Sequence, residues 1–253
     1  EICACLVGSE MCIRDSKNIV LTDAITKAQG LTNDGEYFYF SGKTTLTKMA
    51  LDGETTVIKK VAAIPGELTA KYNSNHLGGL SYYNGKIYAA LEDNQFYKHP
   101  LIAVYDAETL EYTGEFFEVS NQSHMAWCAV NPEDGLIYTS DWSNATQLNV
   151  YSVDGFEYVK TIELSAPIDR VQGAEFYKGT LYLSSDVKND TKPILAIDVS
   201  TGVVSTAFNT NLGKGFEAED VTILPMDDGS LFHIIAAGKS RLNIHFSHYS
   251  IDE

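Results

Sequence analysis

Short runs that alternate apolar and polar positions recur along the chain, each broken by glycine, asparagine or aspartate; this two-residue period predicts β-strands throughout. Five segments show it most clearly, each opening on a turn glycine: GEYFYFSG, GKIYAALED, GLIYTSDW, GTLYLSSD and GSLFHIIAAG. Their leading glycines, Gly35, Gly85, Gly135, Gly179 and Gly229, are 50, 50, 44 and 50 residues apart. A period of that size marks β modules that bury their faces against one another.

Each module reads as several strands. An apolar inner strand precedes the glycine turn (AQGLTND, LGGLSYY, WCAVNP, QGAEFY, EDVTILP), and a third strand follows the aromatic one (TLTKMAL, PLIAVYDA, QLNVYSV, PILAIDV, NIHFSHYSI). Four modules add a fourth strand, TTVIKKV, GEFFEV, VKTIEL and VVSTAF, whereas the fifth ends without one at Glu253. The missing strand has a donor in NIVLTDA at residues 18–24, which precedes the first module. Pairing it into the last module joins two open sheet edges and ties the ends of the chain together. The expected fold is all-β: a five-bladed β-propeller of four-stranded antiparallel blades, closed by the N-terminal strand. A six-bladed ring that has lost one blade upstream is the alternative.

The stretch before that strand has no such rhythm. Leu6–Ser16, LVGSEMCIRDS, back-translates into a transposase-type sequencing adapter, so residues 1–16 read as a non-native segment and residues 17–253 as one propeller domain. The segment has neither the basic start nor the apolar run of a secretory signal, and Cys3, Cys5 and Cys12 have no paired ligand cluster after them. Beyond it Cys128 is the only cysteine, which excludes an intrachain disulfide framework.

Charge narrows the partners. The net charge of −16 becomes −14 once Glu1, Glu10, Asp15 and Arg14 are set aside, which disfavours nucleic acid and anionic membrane. A monomer binding a small polar molecule or a carbohydrate is expected. The composition leaves location open, with an extracellular or periplasmic setting slightly favoured over the cytoplasm.

Propeller geometry sorts the candidate chemistry, because the loops leading into inner strands and those leaving second strands share one face around the central channel. The inlet loops bring Gln29, Asn75, His76, His124, Trp127, Arg170, Gln172, Glu217 and Glu219; the outlets bring Glu92, Asp93, Asp141, Trp142, Ser184, Asp186 and Lys239. Carboxylates and imidazoles gathered in one ring suit acid–base catalysis, and indoles suit stacking on a ligand. Trp127 is equally suited to packing between blades, and the aspartates to capping turns. In EAED, at residues 217–220, neighbouring carboxylates repel by roughly 4 kcal/mol at about 4 Å and an effective dielectric near 20. Either Ca²⁺ at Glu217 and Glu219 or the cations Arg170 and Lys239 would offset this. Alternation directs Glu217 and Glu219 one way and Asp220 the other.

Several motifs resemble the glutamine cyclotransferase (plant-type glutaminyl cyclase) propellers across residues 28–240. AQGL, SGKTTLTKM, MAWCAV, QGAEF and AGK are similar to that family's FTQGL, STG with a following S-L-x-K, GWGL, NELE and TGK. The resemblance implies a five-bladed propeller with site positions at Trp127, Lys239 and Glu175. The chain departs from the pattern where Gly78 replaces the acidic residue of EGI and Gln172 replaces Asn. The chain is also similar to bacterial propellers carrying NHLGG and VQGAE-like motifs.

Two classes of function follow. One is an enzyme, either a hydrolase or transferase, metal-assisted or not, or a cyclotransferase, using Glu175, Glu92 or Glu219 as acid or base, His76 or His124 as proton carrier, and Lys239 to hold an anionic group. The other is a non-catalytic carbohydrate or small-molecule binder in which Trp127 and Trp142 stack on the ligand and carboxylates accept its hydroxyls.

Overall fold

The computed structural model describes residues 13–251 apart from 22, 188–190, 211, 214 and 239–242, with backbone alone at 13–16 and 251. Its strands fall in chain order into five sheets. After β1 (Ile13–Leu21), the first blade holds β2 (Gly30–Asn33), β3 (Tyr37–Gly42), β4 (Thr45–Ala50) and β5 (Thr56–Lys60). A short helix, α1 (Gly66–Tyr72), leads to the second blade: β6 (His76–Tyr83), β7 (Lys86–Glu92), β8 (Leu101–Asp106) and β9 (Tyr112–Glu118). The third has β10 (Ala129–Asn131), β11 (Leu136–Thr139), β12 (Ala145–Ser152) and β13 (Tyr158–Ile168). The fourth has β14 (Val171–Tyr177), β15 (Thr180–Ser185), β16 (Pro193–Asp198) and β17 (Val203–Asn209). The last has β18 (Glu217–Ile223), β19 (Ser230–Ala237) and β20 (Ile244–Ile251).

β1 completes the last blade, whose strand order is β1, β20, β19, β18. It pairs antiparallel with β20, from Leu21 opposite Ile244 to Ile13 opposite Ile251, with a register shift between Asp15 and Lys17. The ring therefore closes on five blades, as a four-stranded sheet in each module requires. The closing strand lies at 13–21 rather than 18–24. The chain bends earlier than expected because the Thr26 amide and hydroxyl both donate to Asp23 O, setting Ala24–Thr26 into a 3₁₀ turn that delivers Gly30 to the first blade.

Turns are held by the side chains that mark them in the sequence. Asp34 Oδ1 accepts the Glu36 and Tyr37 amides at 2.8 and 2.7 Å, and Asp106 and Asp198 cap later turns in the same way. The core lies between blades as well as within them. Phe38 and Phe40 of the first blade pack with Ile235 and Phe246 of the last, so burial of apolar surface itself closes the circle. α1 packs lightly: its seven residues bury only Leu68, and Asn73 ends it at φ 57°. Among the described residues no helix is long and apolar enough to cross a membrane.

The inner strands approach so closely that side chains are excluded at two points. A Cβ at Gly78 would lie 2.3 Å from Ala126 O, and one at Gly173 would lie 1.6 Å from Asp220 Oδ1. Asp220 fills the space that Gly173 leaves. Simple alternation fails at this point, because a bulge between Ala218 and Val221 turns the Asp220 carboxylate across the ring, where it accepts the Leu31, Leu80 and Val221 amides. The inner strands of the first, second and last blades are thereby tied to one buried group.

Candidate functional site

A cavity of about 430 Å³ opens where the inlet and outlet loops meet around the channel. Eight of the expected residues line it: Gln29, His76, Glu92, His124, Trp142, Gln172, Glu217 and Glu219. They come from all five blades, which is why no short motif announces them.

Glu92 organises this group. It is the last residue of β7, wholly buried, and its two carboxylate oxygens face two imidazoles: Oε1 is 3.2 Å from His76 Nδ1 and Oε2 is 2.9 Å from His124 Nδ1. The His124 contact has ion-pair distance without the directionality of a hydrogen bond. Oε2 also accepts the Met125 amide at 2.9 Å. Burial alone would raise this carboxyl, but the two imidazoles and the amide outweigh it and hold Glu92 down at about 2. Glu92 is therefore an anion at neutral pH, and its role is to orient imidazoles. His76 turns its other nitrogen, Nε2, to Gln29 Oε1 at 2.5 Å, so both of its ring nitrogens are occupied.

His124 is held in a column of rings. Tyr97 stacks on it at 4.4 Å between centroids, Trp142 follows at 5.4 Å, and the Arg170 guanidinium lies 4.4 Å from the Trp142 ring. The indole N–H of Trp142 donates to Gln172 Oε1 at 3.0 Å. The stacking surface of Trp142 is thus engaged by protein groups, and ligand contact is left to its edge. Tyr97, Lys43 and Asn94 also line the cavity and escaped the sequence reading. What marks Tyr97 in the sequence is the adjacent aromatic pair Phe96 and Tyr97 in the outlet DNQFYKHP; the fourth blade's outlet of like length, DVKNDTKP, has no aromatic residue.

Other expected residues take supporting positions. Asn75 fixes its own loop: its amide donates to Glu92 O at 3.0 Å, and its side chain bridges Asn73 O and the Asn94 amide. Asp141 Oδ1 accepts the Ser123 and His124 amides at 3.0 and 3.1 Å, capping the inlet of the third blade. Asp186 is buried between Arg170 and Lys192, at 2.6 and 2.5 Å, so Arg170 neutralises Asp186 behind the wall and not the EAED carboxylates. Trp127 is wholly buried among Ala129, Leu148 and Ile168, which corrects the expectation that it stacks on a ligand. Cys128 is equally buried and its thiol is pushed up by that burial, the state of a core residue.

Glu175 does not line the cavity. It lies three residues beyond Gln172 on β14, keeping a little accessible surface yet enclosed by protein, where it accepts Asn33 Nδ2 and the Ile223 amide, each at 3.2 Å, and the Thr222 hydroxyl. Burial raises it to about 7 against those hydrogen bonds. Lys239 lies outside the described residues. Glu217 and Glu219 share the cavity, but among the described residues no set of three or more His, Cys, Asp or Glu side chains is placed to hold a metal ion, so a Ca²⁺ site there gains no support.

Two solved structures align with the chain. The crystal structure of Myxococcus xanthus glutaminyl cyclase aligns with TM-score 0.68 at 17% identity, over 95% of this chain and 97% of that one. Kuenenia stuttgartiensis hydrazine synthase aligns with TM-score 0.47 at 14% identity, over 82% of this chain and 55% of that one. At 17% identity the likeness to the Myxococcus protein is one of fold. No curated protein matches the sequence. The sequence profile described as "Repeat of unknown function (DUF6923)" matches residues 37–218, most of the chain, and the protein belongs to that repeat family.

Proposed function

We propose that the channel mouth is an acid–base catalytic site for a small polar substrate, of hydrolase or transferase type, with His124 as proton carrier. One observation carries this reading: a buried anionic carboxylate, Glu92, is shared by two imidazoles, one of which is sandwiched by rings at the cavity wall. The Glu92 carboxylate beside Nδ1 favours a proton there and the stacked rings hold the imidazole in place, which readies the other nitrogen to take and return a proton. Glu217 and Glu219 supply acceptors for a substrate amine or hydroxyl, and Lys43 supplies a cation at the rim.

Aminoacyl transfer is the first chemistry to test, since the Myxococcus protein of like fold is a glutaminyl cyclase. An amine attacking a carboxamide needs a positioned proton carrier. Gly78 occupies the position of the acidic EGI residue, and the 2.3 Å approach of Ala126 O leaves room for no side chain there. His124, at the wall of the same cavity, is suited to take over that role.

The test is turnover of N-terminal glutaminyl dipeptides, aminoacyl amides and aryl glycosides by the parent, His124→Ala and Glu92→Gln. Loss of a general base predicts a fall of about 10²–10⁴-fold in His124→Ala. Turnover that survives His124→Ala unchanged refutes the reading. A compound that raises the melting temperature without being converted points instead to the non-catalytic binder.

A further inference from the structure

We propose that a second cleft, beside the channel mouth on the third blade, is a subsite for a neutral, hydroxyl-rich part of the ligand, a saccharide; the proposal rests on the channel mouth being the reactive site. The cleft has a volume of about 410 Å³, within the roughly 300–1,000 Å³ of small-molecule sites. It shares two walls with the first cavity, His124 and Trp142. A ligand seated in both therefore passes the imidazole to which the proton transfer is assigned.

The lining selects the chemistry. Ser123, Ser143, Asn144, Thr146, Gln147 and Asn149 present hydroxyls and primary amides, which donate and accept hydrogen bonds without charge. No lysine or arginine lines the cleft among the described residues, so an anionic ligand finds no counter-charge. Ala145 and the edge of Trp142 are its main apolar surfaces, too little for the side chains of a peptide. Alternating donors and acceptors beside one aromatic edge match closely spaced hydroxyls on a sugar ring.

The cleft is built in advance of any ligand. Asn149 is buried; its amide nitrogen donates to Asn121 O at 3.3 Å and Gln122 Oε1 at 3.2 Å, and its Oδ1 accepts Gln147 Nε2 at 3.2 Å. Gln122 in turn donates to His124 O at 2.8 Å, while Asp141, in the cleft wall, accepts the His124 amide at 3.1 Å. The polar floor of the cleft and the backbone of His124 are thus one hydrogen-bonded unit, which holds the subsite in register with the reactive ring.

The experiment is calorimetric titration of the parent, Thr146→Arg and Gln147→Ala with cellotriose, maltotriose and N,N′-diacetylchitobiose, with the tripeptide Gly-Ser-Gly as a comparison. Thr146 is exposed at the rim, so arginine there obstructs the cleft without entering the core, and melting curves verify folding. At least one sugar is expected to bind the parent and to bind Thr146→Arg about ten-fold or more weakly, with a smaller loss in Gln147→Ala. Absence of binding by all three sugars at millimolar concentration overturns the proposal, as does sugar binding indifferent to Thr146→Arg. Tripeptide binding that Thr146→Arg abolishes overturns the saccharide assignment in favour of a peptide. Binding is read without turnover, so failure of the acid–base reading, seen in His124→Ala, is scored separately.

Discussion

Glu92 Oε2 and His124 Nδ1, 2.9 Å apart, link the end of the second strand in one blade to the inlet loop of the next. This contact ties the geometry of the channel mouth to adjacent blades, because Glu92 ends β7 and the Met125 amide next to His124 donates to the same carboxylate.

Glu92→Gln keeps the shape and removes the charge. Its expected destabilisation is about 1–3 kcal/mol at neutral pH, from hydrogen bonds to a buried anion. Since the folded carboxyl sits near 2, below its ordinary 4.5, its stabilisation is present above about 4.5 and is lost as pH falls toward 2. Urea denaturation of parent and variant across that window should show the difference shrinking with acid. A constant difference would assign the effect to packing.

Glu175→Gln should behave in the opposite sense. Burial raises the folded carboxyl to about 7, so the folded state holds its proton while the unfolded chain releases it, and stability falls as pH rises from about 4.5 through 7. The variant is expected to gain up to about 3 kcal/mol on the parent above neutrality and little in acid. Denaturation midpoints at mildly acidic and mildly alkaline pH decide this.

The closing blade carries its own acid sensitivity. His233 Nδ1 and His248 Nδ1 lie 2.6 Å apart, both buried, and His233 Nε2 donates to Leu224 O at 2.8 Å. Burial lowers both, and the charges of His233 and Lys17 help bring His248 to about 4. Stability from the neutral pair is complete above about 6.5 and is lost as pH falls toward 4. His248→Gln is expected to flatten that part of the melting-temperature profile; an unchanged slope would exclude the pair as its source.

Truncation tests how much of the closing strand the ring needs, since residues 13–16 belong both to the adapter-like segment and to β1. Removal of residues 1–16 leaves the regular pairing from Lys17 opposite His248 to Leu21 opposite Ile244, and a melting temperature within about 3 °C of the parent is expected. Removal of residues 1–21 strips β1 from β20 and exposes an unpaired edge, so a larger drop and aggregation follow. Scattering during a thermal ramp distinguishes the two.

Fluorescence reports on the cavity directly. The protein has two tryptophans, Trp127 in the core and Trp142 at the cavity wall against His124. A ligand in either cleft should change the Trp142 emission, and Trp142→Phe should abolish the change. A signal that persists in that variant would place the ligand elsewhere.

What the sequence determined was the repeat. Five glycine-led strands at near-constant spacing define the modules, and the missing fourth strand of the last one calls for an N-terminal donor, because an unpaired edge is unstable. The channel-facing residues followed from connectivity alone, which is why eight of them line one cavity. Their roles were decided by tertiary structure. Trp127 and Trp142 look alike in the sequence, yet blade packing buries one and leaves the other at the site. Glu92 and Glu175 are both carboxylates on strands, yet two imidazoles hold the first at about 2 while burial raises the second to about 7. Asp220 faces the axis only because a bulge breaks the alternation that strand periodicity implies. Local pattern sets which residues reach a face of the ring; partners arriving from other blades, dozens of residues away, set the charge each one carries there.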